Sequence, residues 1–223
     1  PVHINFPFRE PLYDTVNKSI VNTRKITHLK VNKSLDSNHL KELQNIWGNS
    51  PKKMIICGTL EKSDQLNKLL SDLNNNDSIC ILNESTSNLY DENFICCIDR
   101  TLERVYGETE FIPELVITIG NSIISKKLKQ LLRKNKPSHH WHIEDTNRAQ
   151  DIFSSITHFV PLKPIEFFSQ FIENISFENK SNFGKMWEKE FHLSEKFHRH
   201  FLKSCDWSDL KAHDIIQDCM RNV

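Results

Sequence analysis

The sequence predicts an α/β fold: a Rossmann-like parallel sheet with helices on both faces, extended at its C-terminal end by further helices. Two observations carry this. Short apolar runs of strand length alternate with longer segments of helical periodicity. Several of the short runs, such as Met54-Ile55-Ile56-Cys57 and Leu115-Val116-Ile117-Thr118-Ile119, are apolar on both faces. Strands of a parallel sheet have that character because helices cover them from both sides.

Pro1 to Asn5 reads as a short strand, and the prolines at 1, 7 and 11 keep the run to Tyr13 extended. A polar linker follows to about Asn32, with a short strand near Ile26 to Val31. A helix starts near Asp36 or Ser37 on a stripe of Leu40, Leu43 and Trp47, and Gly48-Asn49-Ser50-Pro51 stops it. Lys53 to Gly58 is a buried strand. Ser63 caps a helix whose Leu66, Leu69, Leu70 and Leu73 share one face.

Ser78 to Leu82 is the next strand, and Phe94 to Tyr106 reads as helix. Leu115 to Ile119 is the clearest strand, followed by a helix over Ile124 to Lys134 that carries Leu128, Leu131 and Leu132. His139 to Ile143 and Ile156 to Val160 are two more strands. Pro164 opens a helix with Phe167, Phe168, Phe171 and Ile175. Phe183, Trp187, Phe191 and Phe201 then mark a long amphipathic helix, and Ser208 caps one carrying Ile215, Ile216, Cys219 and Met220.

The predicted organisation is therefore the end of a preceding domain over 1–13, linker and helix over 14–50, the Rossmann-like unit over 51–176, and helices leading onward over 177–223. A start inside a motif and a stop without a tail suggest a piece of a longer protein.

Composition narrows the function. Lys+Arg and Asp+Glu balance at 29 each, so there is no basic field for nucleic acid or an anionic membrane. No apolar run approaches the ~18–20 residues of a membrane span. No secretory signal is visible. The six cysteines include no C-x-x-C pair and read as the free thiols of a cytosolic protein. Only five glycines are present, too few for a glycine-rich phosphate loop.

The most suggestive site is the turn after the strongest strand, Gly120-Asn121-Ser122 through Ser125-Lys126-Lys127. Ligands of open parallel sheets gather at the carboxyl ends of strands. Gly120 permits a tight turn, Ser122 or Ser125 can cap, and Lys126 in the first helical turn can reach a carboxylate or phosphate at a helix start that favours anions. The plain structural alternative is a capped helix with solvated lysines. The same turn is no dinucleotide fingerprint, since G-x-G-x-x-G needs three glycines and one is present.

Other candidates are weaker. The polar loop Glu84-Ser85-Thr86-Ser87-Asn88 ends another strand, and Asp99-Arg100 suggests a local ion pair or a contact to a partner domain. His140 and His142 share a strand face, yet no carboxylate or cysteine partner is placed by spacing for a metal. Cys96-Cys97 has neither His nor Asp at a diagnostic position.

Pro1-Val2-His3-Ile4-Asn5-Phe6-Pro7-Phe8-Arg9-Glu10-Pro11-Leu12-Tyr13 closely resembles a run of the MenD family, the thiamine-diphosphate-dependent SEPHCHC synthases of menaquinone biosynthesis. There it closes the pyrimidine-binding domain and leads into the central one. Leu115 to Leu128, the strand end His142-Ile143-Glu144 and Ile81 to Asn88 are similar to the family's central domain. The resemblance covers about residues 1 to 175.

It implies a cytosolic transferase that decarboxylates 2-oxoglutarate on thiamine diphosphate with Mg²⁺ and adds the succinyl unit to isochorismate, working as a homodimer or homotetramer. It also implies that the central domain lends a basic residue to a substrate carboxylate, and the matching position is Lys126. The family's activating glutamate and its G-D-G…N metal motif match nothing here. This stretch alone is therefore expected to bind neither cofactor nor metal and to have no catalytic residue or synthase activity. Two other readings stand beside this one. Related central domains carry FAD, which the missing glycines disfavour, and a purely structural spacer would leave Lys126 without a ligand.

Overall fold

The computed structural model describes residues 26–28, 34–146, 149–175, 178 and 180–221. The strand expected at 1–5, the proline-rich run to 13 and most of the linker lie outside them.

A six-stranded sheet, parallel throughout, forms the centre, in the order β1-β6-β5-β4-β2-β3. Its strands are β1 (Thr27–His28), β2 (Lys53–Cys57), β3 (Ile79–Asn83), β4 (Leu115–Ile119), β5 (His139–Ile143) and β6 (His158–Val160). From β2 the chain steps outward to β3, then crosses back past β2 to lay down β4, β5 and β6. The winding direction therefore reverses between β2 and β4. In doubly wound sheets such a reversal opens a crevice at the carboxyl edge.

Each strand sorts its side chains by parity. Ile55, Cys57, Ile81, Ile117, Trp141 and their neighbours pack beneath α1 (Ser37–Asn49), α2 (Asp64–Asn74) and α5 (Pro164–Ile172). Trp141 meets Phe167 and Phe171 edge-on there. Met54, Ile56, Cys80, Leu82 and Val116 face the other way. Their cover is α3 (Ile98–Val105), α4 (Lys126–Lys134) and the first half of α6 (Phe183–Ser204). The two-sided burial read from the sequence is thus a real two-layer cover.

Caps appear where the sequence places them. Asp36 accepts from the amides of Asn38 and His39 at 2.9 Å. Ser63 accepts from Leu66 at 3.2 Å, and Ser208 from Lys211 at 3.3 Å to start α7 (Asp209–Arg221).

Three predicted helices are shorter than their apolar pattern: α5 ends at Ile172, where a turn closed by Asn174 N on Phe171 O leaves Ile175 beyond it, and two others start late. Phe94 and Ile95 are not helical, because Ile95 bridges alongside β3: its amide donates to Ile81 O, and its carbonyl accepts from Asn83 N, each at 2.9 Å. The helix begins only at Ile98. Likewise α4 begins at Lys126 rather than Ile124, because the Ser125 hydroxyl takes the Leu128 amide at 3.0 Å and makes Ser125 the cap. Ile124 is left outside and exposed.

The long helix α6 has two regimes. Phe183, Trp187 and Phe191 are buried on the sheet's second face, whereas Phe197 and Phe201 are exposed. Between them α6 grips α3 through Arg104–Glu190 at 2.8 Å and Arg100–Glu195.

Candidate functional site

At the carboxyl edge, the loops after β2, β3 and β4 are tied to one another. Thr59 N donates to Asn121 O at 2.6 Å, and Asn121 N donates to Thr59 O at 3.0 Å, a bridge directly across the topological reversal. Two glycines make it sterically feasible. A Cβ on Gly58 would lie 1.9 Å from Asn121 O, and one on Gly120 would lie 2.5 Å from Thr59 O. Gly120 also has φ +71°, open to glycine at little strain. The tight turn expected at Gly120 thus brings its backbone against Thr59 and Leu60 of the loop after β2.

The loop after β3 is stitched onto the same bridge. Thr86 accepts from Leu60 N at 3.3 Å and from the Thr59 hydroxyl at 3.1 Å, and the Asn88 amide donates to Leu60 O at 2.7 Å. Its first residue, Glu84, points at α4. Buried at 8% exposure, the Glu84 carboxylate accepts from Ile124 N at 2.8 Å and Ser125 N at 2.9 Å. A helix start favours an anion, and here the chain supplies one. Asp99, in the first turn of α3, accepts from the Ser125 hydroxyl. It therefore braces α4 instead of pairing with Arg100, whose partner is Glu195.

The three sequence-predicted site residues sit on this edge. Gly120 follows β4 directly, Ser122 is exposed with φ +36°, and Lys126 is exposed as the first residue of α4. The neighbouring Lys127 is drawn aside to Glu103 of α3. The Lys126 ammonium has no ion pair among the described residues.

Beside the turn runs a buried polar chain that sequence reading only half found. The Thr118 hydroxyl contacts His140 Nε2 at 3.0 Å and His142 Nδ1 at 2.9 Å. His140 Nδ1 contacts the Ser155 hydroxyl at 2.8 Å, and His142 Nε2 lies 3.3 Å from Glu144 Oε2. The expectation that spacing places no carboxylate beside these histidines is therefore incorrect. Glu144 follows His142 by two, the period of a strand face, and that signal was available. Burial holds the His142 imidazole below its ordinary pKa, against the opposing pull of the Glu144 charge. Among the described residues no cluster of three or more His, Cys, Asp or Glu side chains is placed to hold a metal.

Cys96 and Cys97, without partners by spacing, have them in space. Arg100 and, from α6, His198 act on Cys97. His198 is too distant in sequence for any local pattern to reveal it.

Fold and site together define a Rossmann-like α/β domain whose carboxyl edge is organised by its own loops rather than by a dinucleotide fingerprint. No family model matches the chain. In sequence, however, it is a relative of the 2-succinyl-5-enolpyruvyl-6-hydroxy-3-cyclohexene-1-carboxylate (SEPHCHC) synthases. It is 37% identical to that of Flavobacterium psychrophilum over 218 residues, 97% of this chain and 39% of the relative. The Flavobacterium johnsoniae synthase is 34% identical over 232 aligned residues, covering 100% of the chain and 40% of the relative. That of Porphyromonas gingivalis is 32% identical over 224, covering 97% and 39%. The chain thus spans about two-fifths of the length of the curated relatives it matches. No helix among the described residues is long and apolar enough to cross a membrane.

Proposed function

We propose that this chain is the central domain of a cytoplasmic, homo-oligomeric SEPHCHC synthase, the transferase that joins a succinyl unit from 2-oxoglutarate to isochorismate. The observation that carries this reading is the extent of the likeness: 97% of the chain aligns at 37% identity with a protein of that name. The coarse boundaries, with the Rossmann-like unit over 51–176 and helices toward a further domain over 177–223, belong to the same proposal.

In the complete enzyme, thiamine diphosphate with Mg²⁺ supplies the carbanion chemistry when bound. The described residues do not fit that group. They offer no metal donor set, and the reversal crevice that would receive a diphosphate is spanned by the Thr59–Asn121 bridge. The task of this domain is binding. Lys126 meets a carboxylate of the substrate, with Ser122 and the Gly120 backbone shaping the approach. Glu84, Asp99 and Ser125 hold the start of α4 so that the ammonium is presented from a fixed helix.

The test is Lys126→Ala in the full-length synthase, beside Lys127→Ala. A lysine that binds substrate equally in ground and transition states raises KM for isochorismate on removal, by about tenfold or more, with kcat nearly unchanged. Lys127→Ala is expected to leave both parameters alone. An unchanged KM in Lys126→Ala identifies the domain as a spacer.

A further inference from the structure

The loop between β3 and α3 ends in two adjacent cysteines that the proposed synthase reaction does not use. Cys97 is the residue immediately before α3 and is held at φ 53°, ψ 47°, a left-handed conformation that non-glycine residues keep only where the surroundings impose it. Its carbonyl accepts from Arg100 N at 3.0 Å and Thr101 N at 3.3 Å, which locks it to the first helical turn. Both residues are exposed. They open onto a cleft of about 660 Å³ between α3, α6 and α7, lined also by Arg100, His198 and Arg199.

The four other cysteines are differently placed. Cys57 and Cys80 are buried in strands, where burial pushes their thiols up and keeps them protonated. Cys205 and Cys219 stand apart near the end of the chain. At Cys97, three neighbours favour the thiolate against the opposing effect of partial burial: the Cys96 thiol first, then the Arg100 guanidinium, then the charge of His198. Together they lower Cys97 to about 5. Cys96 moves up in response, mainly because its proton is the one shared with Cys97. The pair thus combines a thiolate on the cleft wall with a protonated neighbour one residue before it on the same wall, the arrangement of an attacking and a resolving thiol.

We propose that Cys96 and Cys97 are a vicinal dithiol site that exchanges with low-molecular-weight disulfides entering the α3–α6 cleft. The Cys97 thiolate attacks one sulfur of R–S–S–R; a Cys97–S bond forms, the S–S bond breaks, and the first RS⁻ leaves. Cys96 then gives its proton to solvent and attacks the Cys97 sulfur, expelling the second RS⁻ and closing a Cys96–Cys97 disulfide. Two protein thiols are oxidised by two electrons and one disulfide is reduced to two thiolates. Neighbouring residues have Cα atoms only ~3.8 Å apart, below the usual disulfide span, so the ring is strained and readily re-reduced. That suits a reversible modification rather than a structural bridge.

The test uses the full-length protein and dithiodipyridine at about pH 6, with released thiopyridone followed by absorbance and modified cysteines mapped by mass. Cys97 is expected to react at least tenfold faster than the exposed Cys219, and two thiopyridones are released in succession per site. Cys96→Ser, whose hydroxyl can still donate to the thiolate, should keep the fast first release and stop at the adduct. Cys97→Ser should remove the fast phase while the Cys219 rate stays. Equal rates at Cys97 and Cys219 overturn the site. So does a wild-type protein that halts after one release, or a Cys96→Ser variant that completes both.

Discussion

Glu84 and Ser125 are separated by 41 positions, yet the Glu84 carboxylate accepts the Ser125 amide at 2.9 Å and the Ile124 amide at 2.8 Å. A side chain at the end of one strand thereby fixes where the helix after another begins. The exposed Lys126 inherits its position from that contact.

Removing that carboxylate strands the buried Ser125 amide and the part-buried Ile124 amide. Glu84→Ala is expected to lower unfolding free energy by about 1.5–3 kcal/mol, the range for hydrogen bonds to a charged group. Glu84→Gln, which keeps one acceptor oxygen, should lose less. Urea titration of the three proteins measures it, and an Ala variant within error of wild type contradicts the bracing role.

The glycine pair at the reversal makes a second prediction. Gly58→Ala forces a Cβ to 1.9 Å from Asn121 O, backbone that cannot swing away. A loss on the order of 3 kcal/mol is expected. Gly107, unlike Gly58, is left-handed at φ +90° but has open space around it, so Gly107→Ala should cost only about 1–2 kcal/mol of backbone strain. Denaturant midpoints of the two variants should differ accordingly.

Along α6, burial should divide the effects. Trp187 is fully buried, edge-on to Phe111 at 5.6 Å, and Trp187→Ala is expected to cost about 3–5 kcal/mol. Phe201 is 54% exposed. Phe201→Ala should stay within about 0.5 kcal/mol in the isolated chain. Similar losses at both positions contradict the division of the helix.

The buried histidine chain predicts a pH dependence. His142 has its folded pKa depressed by burial, so the unfolded chain binds the proton more readily. Stability is complete above the ordinary imidazole value of about 6.5 and is lost as pH falls below it through the folded value. His142→Gln should reduce the loss measured between about pH 7 and pH 5. A variant that loses as much as wild type over that range removes His142 from the account.

Much of this architecture was legible beforehand because its causes are local. Met54 to Cys57 and Leu115 to Ile119 are apolar at nearly every position, which only a doubly covered strand tolerates. Asp36, Ser63 and Ser208 cap helices that begin within three residues of them. The N-terminal resemblance run falls outside the described residues, and the likeness to the synthases over nearly the whole chain supports the same reading. The overextended helices at Phe94 and Ile124 had the right apolar residues but lost their backbone hydrogen bonds to β3 and to Ser125.

By itself the sequence determined the elements, their alternation and the two-faced sheet, since periodicity and capping act over a few residues. The tertiary structure alone decided that the α4 amides answer to Glu84, that Gly58 and Gly120 serve a loop crossing, and that Cys97 is flanked by Arg100 and His198. Those pairings join groups tens of residues apart, which meet only after the chain has reversed its winding and laid α6 across the sheet. Desolvated charges and hydrogen bonds depend on distance in space, and spacing along the chain does not encode it.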